Sequence, residues 1–170
     1  MTPQTLRFTS VATPLGDFTI LVSERGVVTT IFGEQERDAE IAAVEERFDA
    51  PARSSTRALS DIRRDVEAYF AGRQRTFSTP PDLILVPEGF HRRVLATTVG
   101  IPYGELWTYG DVAAMAGNPG AARAAGSALS HCPIELFVPC HRVVHAGGTL
   151  GGYGRYEDRK GWLLRHEGAI

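Results

Sequence analysis

The chain has 170 residues, 43% of them hydrophobic and 22% charged, with a formal net charge of −2. This is the composition of an ordinary soluble protein of one medium domain or two small ones, which excludes a mostly disordered chain and a repeat array. No stretch reaches the ~18 apolar residues needed to cross a bilayer, and Met1-Thr2-Pro3-Gln4 carries neither the basic cluster nor the apolar run of a signal peptide. A cytoplasmic protein with no membrane partner is expected.

The small net charge hides an asymmetry. Residues 1–86 hold 10 Arg against 13 acidic residues, a balance of −3, whereas residues 87–170 hold 7 Arg and 1 Lys against 7 acidic residues, a balance of +1. All five histidines, both cysteines and both tryptophans also lie after residue 86. The side chains suited to nucleophilic, acid–base and stacking work are therefore concentrated in the second half. Two cysteines, Cys132 and Cys140, are too few for a disulfide scaffold and lack the four-ligand spacing of a structural zinc site. No metal and no cofactor is expected, and a chemical role for one thiol stays open.

Alternating apolar and polar residues over Leu6 to Val11, Phe18 to Val22 and Val27 to Phe32, with turns at Pro14-Leu15-Gly16 and Arg25-Gly26, predict an antiparallel meander. Ile41, Val44 and Phe48, and then Leu59, Ile62, Val66, Tyr69 and Phe70, fall at helical spacing, and the second of these helices should stop at Gly72. Proline-rich punctuation, Thr79-Pro80-Pro81-Asp82 and Pro87-Glu88-Gly89, marks a domain boundary near residue 87. A helix follows with Phe90, Val94, Leu95 and Val99 on one face. Thr108 and Asp111 have the spacing of a capping box, so a helix should run from there to about Ala116. Gly117-Asn118-Pro119-Gly120 then supplies a turn, with Asn118 as cap and a second helix from about Pro119 to Ser130. The expected fold is α+β: a small N-terminal α/β domain (1–86) on a three-stranded antiparallel sheet, then a mainly helical C-terminal domain (87–170) containing a helix-turn-helix.

The second helix of that pair is rich in small residues, Ala121, Ala122, Ala124, Ala125, Gly126, Ser127 and Ala128, with Arg123 its only long charged side chain. Such a face suits close packing against a neighbour, and it also suits a smooth helix entering a DNA groove with one projecting guanidinium. Further on, a strand-like apolar run through Leu136, Phe137 and Val138 delivers Pro139-Cys140-His141-Arg142. A thiol becomes a good nucleophile only as thiolate, so Cys140 needs a base nearby, and His141, directly or through a water, is one candidate. A carboxylate would orient that imidazole; Glu167 is one candidate among seven acidic residues in this half.

Taken together, Ile101-Pro102-Tyr103-Gly104, Thr108-Tyr109-Gly110, Ala116-Gly117-Asn118-Pro119 with Ala122-Arg123-Ala124, Pro139-Cys140-His141-Arg142-Val143, Gly151-Gly152-Tyr153 and Lys160 to Glu167 resemble the O6-alkylguanine-DNA alkyltransferases, in the order that family has them. The resemblance is close over residues 88–168 and looser over the whole chain. It implies direct-reversal DNA repair, an irreversible transfer of an alkyl group from O6 of guanine to the protein's own cysteine, once per molecule. Cys140 would be the acceptor, activated through a water held by His141 and Glu167, and Tyr109 would donate a hydrogen bond to the leaving guanine. The target base would be flipped from the duplex, with Arg123 filling the vacated stack and the helix bearing Ala122 and Ala124 lying in the minor groove. Val143, Gly151 and Tyr153 would line the base pocket, with backbone groups around Val143 reading guanine. The implied partner is double-stranded DNA containing O6-alkylguanine, bound by a monomer with room for cooperativity.

Three features depart from the family pattern. Cys132, before Pro133, stands where the family carries the asparagine of its hinge, and a thiol cannot supply an amide's acceptor and donors together. Ser130 replaces a basic residue of some relatives, and the cysteines of an N-terminal zinc site are absent. In a reducing compartment Cys132 reads first as a small, partly buried hinge residue and second as a disulfide partner or alternative acceptor. Three rival functions follow from the same residues: a protein that binds alkylated DNA without repairing it, a thiol hydrolase using Cys140, His141 and Glu167, and a sequence-specific helix-turn-helix regulator.

Overall fold

A computed structural model describes residues 5–152 and 157–170, which divide into two compact units, Met1–Asp82 and Leu83–Ile170. In the first unit β1 (Leu6–Thr13), β2 (Gly16–Val22) and β3 (Val27–Phe32) pair antiparallel, as their alternation and turns predict. Two helices follow, α1 (Arg37–Phe48) and α2 (Ser60–Phe70). The sheet differs from the expected three strands: β4 (Ala52–Ser54) adds a fourth, parallel to β1, in the order β3-β2-β1-β4. Three residues are too few to carry a periodicity, so β4 left no signal in the sequence.

Burial on the sheet also departs from simple alternation. Phe18 to Leu21 of β2 and Val27 to Ile31 of β3 are all buried, the signature of strands covered on both faces rather than one. α2 brings Ile62, Val66 and Tyr69 inward at helical spacing. From the same helix Arg63 reaches Thr9 Oγ1 at 2.9 Å and also donates to the Ser10 carbonyl, so this arginine belongs to the sheet rather than to a solvated face.

The second unit is mainly helical, with α3 (Phe90–Val99), α4 (Tyr109–Met115), α5 (Ala122–Ser130) and α6 (Glu157–His166), and a two-stranded parallel pair, β5 (Trp107–Thr108) and β6 (Val143–Val144). α3 buries Val94, Leu95 and Thr98, while Val99, expected on the apolar face, is exposed. Thr98 fits inside because its hydroxyl donates to the Val94 carbonyl at 2.7 Å. Arg92 and Arg93 are engaged with backbone carbonyls, Val86 and Ala116 respectively, rather than lying free along the helix.

α4 begins with the capping box that Thr108 and Asp111 predict, each side chain accepting the other's backbone N–H. α5 starts later than expected. The N–H of Ala121 bonds the Asn118 carbonyl at 3.1 Å, so residues 118–121 close a turn and Asn118 does not cap the helix. The small side chains then serve packing: Ala125 and Ala128, with Leu129, are buried, and α5 lies against α3 and α4. Arg123 and Ser127 remain exposed on the other face, with Ala122 and Ala124 half-buried beside Arg123.

Candidate active site

The chain reaches Cys140 by a folded loop, not by the strand expected through Leu136 to Val138. Val138 N–H returns to the Ile134 carbonyl at 3.0 Å, and Leu136 takes a left-handed φ of 77°. Ile134, Leu136, Phe137 and Val138 are all buried, which a half-exposed strand could not achieve. Pro139 precedes a single 3₁₀ turn, Cys140–Arg142, that leads into β6. The core thus grips the loop from several sides, and Cys140 keeps only 4% of its surface exposed.

Around this turn the buried charges are mutually satisfied. His141 Nε2 lies 2.8 Å from Glu167 Oε1, and Arg142 donates to both oxygens of the same carboxylate at 2.9 and 2.8 Å. The remaining Arg142 nitrogen donates to the Ile101 carbonyl at 2.7 Å. Glu167 stands just beyond α6, and its N–H bonds the Leu163 carbonyl of that helix, so one helix end is fastened to the turn carrying the thiol. Burial alone would push the Glu167 carboxyl up, but the hydrogen bonds and charges of His141 and Arg142 hold it far below the usual carboxylate range. Burial lowers the His141 imidazole, against the upward pull of Glu167, so the ring is neutral near pH 7.

Burial likewise pushes the Cys140 thiol well up, and Cys132 and Glu135 act in the same direction, while the Lys160 ammonium opposes them. The sequence gives Lys160 no role, yet it is fully buried. Its Nζ donates to the Val143 carbonyl at 2.5 Å and lies 3.4 Å from both the Tyr109 hydroxyl and the Gly152 carbonyl. Burial raises the Tyr109 phenol, with Cys140 contributing, so the hydroxyl stays protonated.

Gly151 has φ +73°, and a Cβ there would stand 2.5 Å from the Tyr109 oxygen, so only glycine lets the backbone pass so close. The exposed ring of His145 lies 4.9 Å from the Tyr109 ring. Val143 is fully buried, its N–H bonded to the Cys140 carbonyl. Tyr153 falls outside the described residues. Among the described residues no cluster of three or more His, Cys, Asp or Glu could hold a metal ion.

The structure therefore gathers Cys140, His141, Glu167, Tyr109, Val143, Gly151 and Cys132 in one unit, with Arg123, Ala122 and Ala124 on α5 of the same unit. Two models of known domains match the chain. The ribonuclease-like domain of 6-O-methylguanine DNA methyltransferase covers residues 6–83, and the DNA binding domain of the same protein covers residues 89–169.

The chain belongs to the 6-O-methylguanine DNA methyltransferase family.

Its relatives include the methylated-DNA–protein-cysteine methyltransferase of Salmonella typhimurium LT2, 38% identical over 164 residues and covering 94% of each chain. Among solved structures, the R37L variant of the Mycobacterium tuberculosis O6-methylguanine methyltransferase aligns with a TM-score of 0.82 at 33% identity, covering 97% of this chain and 94% of that one. M. tuberculosis OGT in complex with DNA aligns with a TM-score of 0.78 at 33% identity, covering 95% and 92%. The mixed α+β fold and the enzymatic, DNA-repairing character expected of an alkyltransferase family member stand on these matches.

Two side chains of the site were missed as actors. Arg142 lay inside the Pro139–Val143 motif, and its signal was a guanidinium followed directly by Val143 and Val144, where burial calls for a carboxylate partner. For Lys160 the signal was scarcity: it is the one lysine of the chain. A helix that otherwise uses arginine for its basic positions offered no other clue.

Proposed function

We propose that Cys140 is the sulfur that receives the alkyl group in this family member's direct-reversal repair of O6-alkylguanine in DNA, with His141, Glu167 and Tyr109 serving the transfer. The observation that carries the reading is the buried His141–Glu167–Arg142 network fastened to the turn that holds Cys140. Because Glu167 is held as a carboxylate it can only accept, so Nε2 of His141 carries the hydrogen and Nδ1 the lone pair. That lone pair takes the proton of the Cys140 thiol through a bridging water, and Glu167 stabilises the resulting imidazolium. A thiol raised by burial stays protonated until this base acts, so the thiolate forms at the moment of use.

The thiolate then attacks the alkyl carbon. The new S–C bond forms as the C–O6 bond breaks, and the electron pair goes to the departing guanine. The protonated Tyr109 hydroxyl donates to that guanine as its charge develops, and Lys160, donating toward the Tyr109 oxygen, makes the phenol a better donor. Val143 and Gly151 border the base, and Tyr153 is assigned to the same pocket.

A base inside a duplex is out of reach, so the nucleotide must be flipped. Arg123, exposed between half-buried Ala122 and Ala124, is assigned to the vacated stack, and α5 to the minor groove. The chain acts as a monomer in the cytoplasm, where its DNA substrate lies; no helix among the described residues is long and apolar enough to cross a membrane. The rival of lesion binding without repair is not favoured, because relatives matching over nearly the whole chain bear the methyltransferase name and the acceptor sulfur is in place.

The deciding experiment incubates the protein with an oligonucleotide carrying O6-methylguanine and reads intact mass and modified peptide. One methyl on the Cys140 peptide, absent in Cys140→Ala, is expected. Tight binding with no mass gain would restore the lesion-binding reading, and a methyl on Cys132 would move the chemistry to the other thiol.

A further inference from the structure

α5 ends on a histidine that the transfer reaction does not use. His131 is the C-cap of the helix and is exposed, and its Nδ1 folds back to 2.8 Å from the Ser127 carbonyl and 3.1 Å from the Ser130 hydroxyl oxygen. That hydroxyl donates its one hydrogen to the same Ser127 carbonyl at 2.9 Å, so Nδ1 faces two acceptors and carries a hydrogen. In the neutral ring Nε2 is then left with a lone pair. It gains a hydrogen only in the imidazolium, in which both nitrogens donate. Among the described residues Nε2 of His131 has no partner.

The position of the ring says what would meet that nitrogen. Residues 123, 127 and 131 follow at four-residue intervals and carry one face of α5 to its end, and Arg123, Ser127, Ser130 and His131 are all exposed. This is the face assigned above to the minor groove, whose edges are phosphates. The second unit is poorly supplied with cations for a polyanion. Residues 87–170 have a balance of only +1, and Arg92, Arg93, Arg142 and Lys160 are tied to acceptors within the protein. The ionisable groups of α3 (His91, Arg92, Arg93) and α4 (Tyr109, Asp111), the helices packed on α5, and of the chain just after it (Cys132, Glu135) make no hydrogen bond or ion pair with the His131 ring.

We propose that His131 is a phosphate contact of the DNA complex that is made only by the protonated ring, so that binding to a duplex takes up a proton there. A phosphate oxygen accepts and does not donate. It therefore meets repulsion from the Nε2 lone pair of the neutral ring and a charge-assisted hydrogen bond from the imidazolium. The proton comes from solvent and stays on Nε2, between ring and phosphate. Ser127 and Ser130 hold the hydrogen on Nδ1, which disfavours the other neutral tautomer, the one that could donate from Nε2 without protonation. His131 reaches a phosphate only if α5 lies on DNA, the reading proposed above.

The test uses an unmodified duplex, so that alkyl transfer does not enter the signal. Binding of the full chain is followed by fluorescence anisotropy at constant ionic strength from about pH 8 to about pH 6, the range in which histidine changes charge. The parent chain should gain about three- to fivefold more affinity over that range than His131→Gln, the size of one exposed charged contact. Its plot of log affinity against log salt should also be steeper at the acid end by about one unit, a change absent from the variant. His131→Arg, charged throughout, should match at the alkaline end the affinity that the parent reaches at the acid end. Equal pH gains and equal salt slopes in parent and His131→Gln would overturn the proposal. If Arg123→Ala then still slows duplex repair, α5 keeps its place on DNA and only the His131 contact falls; if Arg123→Ala repairs duplex at the parental rate, the assignment of α5 falls as well.

Discussion

At the scale of the residue, Glu167 is the group on which the site turns, because one carboxylate accepts from both His141 and Arg142 inside the protein. Glu167→Gln leaves the guanidinium without its charge partner, and breaking a buried pair from one side costs about 3–5 kcal/mol. Urea unfolding should show that loss, and methyl transfer should slow as His141 loses the anion that stabilises its cation. Gly151 sets a different constraint. Gly151→Ala drives a methyl against the Tyr109 hydroxyl at a left-handed backbone position. Displacing a catalytic group by about 1 Å costs on the order of a hundredfold in rate, so single-turnover transfer should fall toward that size while duplex affinity holds. Spacing alone left Glu167 one acid among several and Gly151 a glycine next to another glycine; the family resemblance singled both out, but not the claim of Arg142 on Glu167 nor the close approach of Gly151 to Tyr109.

Elements carry the site into position, and here the sequence was more informative. Hydroxyl and carboxylate at the right spacing announced α4, and the structure contains that capping box. Thr108→Ala removes the cap, costing about 1 kcal/mol of stability, which thermal melting should register. The start of α5 was misread because Asn118 and Pro119 are good starters for a helix, yet a backbone bond from Ala121 closed a turn there first. The run before Pro139 was misread as a strand because a short apolar stretch has no period to separate a strand from a buried loop. For α5 itself the test concerns what it presents. Arg123→Ala should slow repair of duplex substrate by about tenfold or more, since holding a base unstacked costs a few kcal/mol, while reaction with free O6-alkylguanine base is spared; equal losses would remove Arg123 from flipping.

For the whole molecule, acid is the informative stress. His141 lies below its ordinary value of 6.5 when folded, so as pH falls through 6.5 the unfolded chain binds the extra proton and stability declines. Glu167 lies below its ordinary value of 4.5, so its contribution is whole above 4.5 and is lost as pH falls further. The urea midpoint should therefore be flat near neutrality, slope downward below about pH 6.5 and steepen below about 4.5, with the lower slope weakened in Glu167→Gln. Concentration of the chemistry-bearing residues in the second half was evident from composition alone, because histidine, cysteine and tryptophan are scarce enough for their distribution to matter. Lys160 was not, since its importance comes from being enclosed. That enclosure extends to the outside of the protein. With its one lysine at 0% exposure, the folded chain offers no ε-amine to acetylation, ubiquitin attachment or an amine-reactive dye. Labelling of Lys160 would therefore time the opening of the interior, making the residue a built-in clock for unfolding.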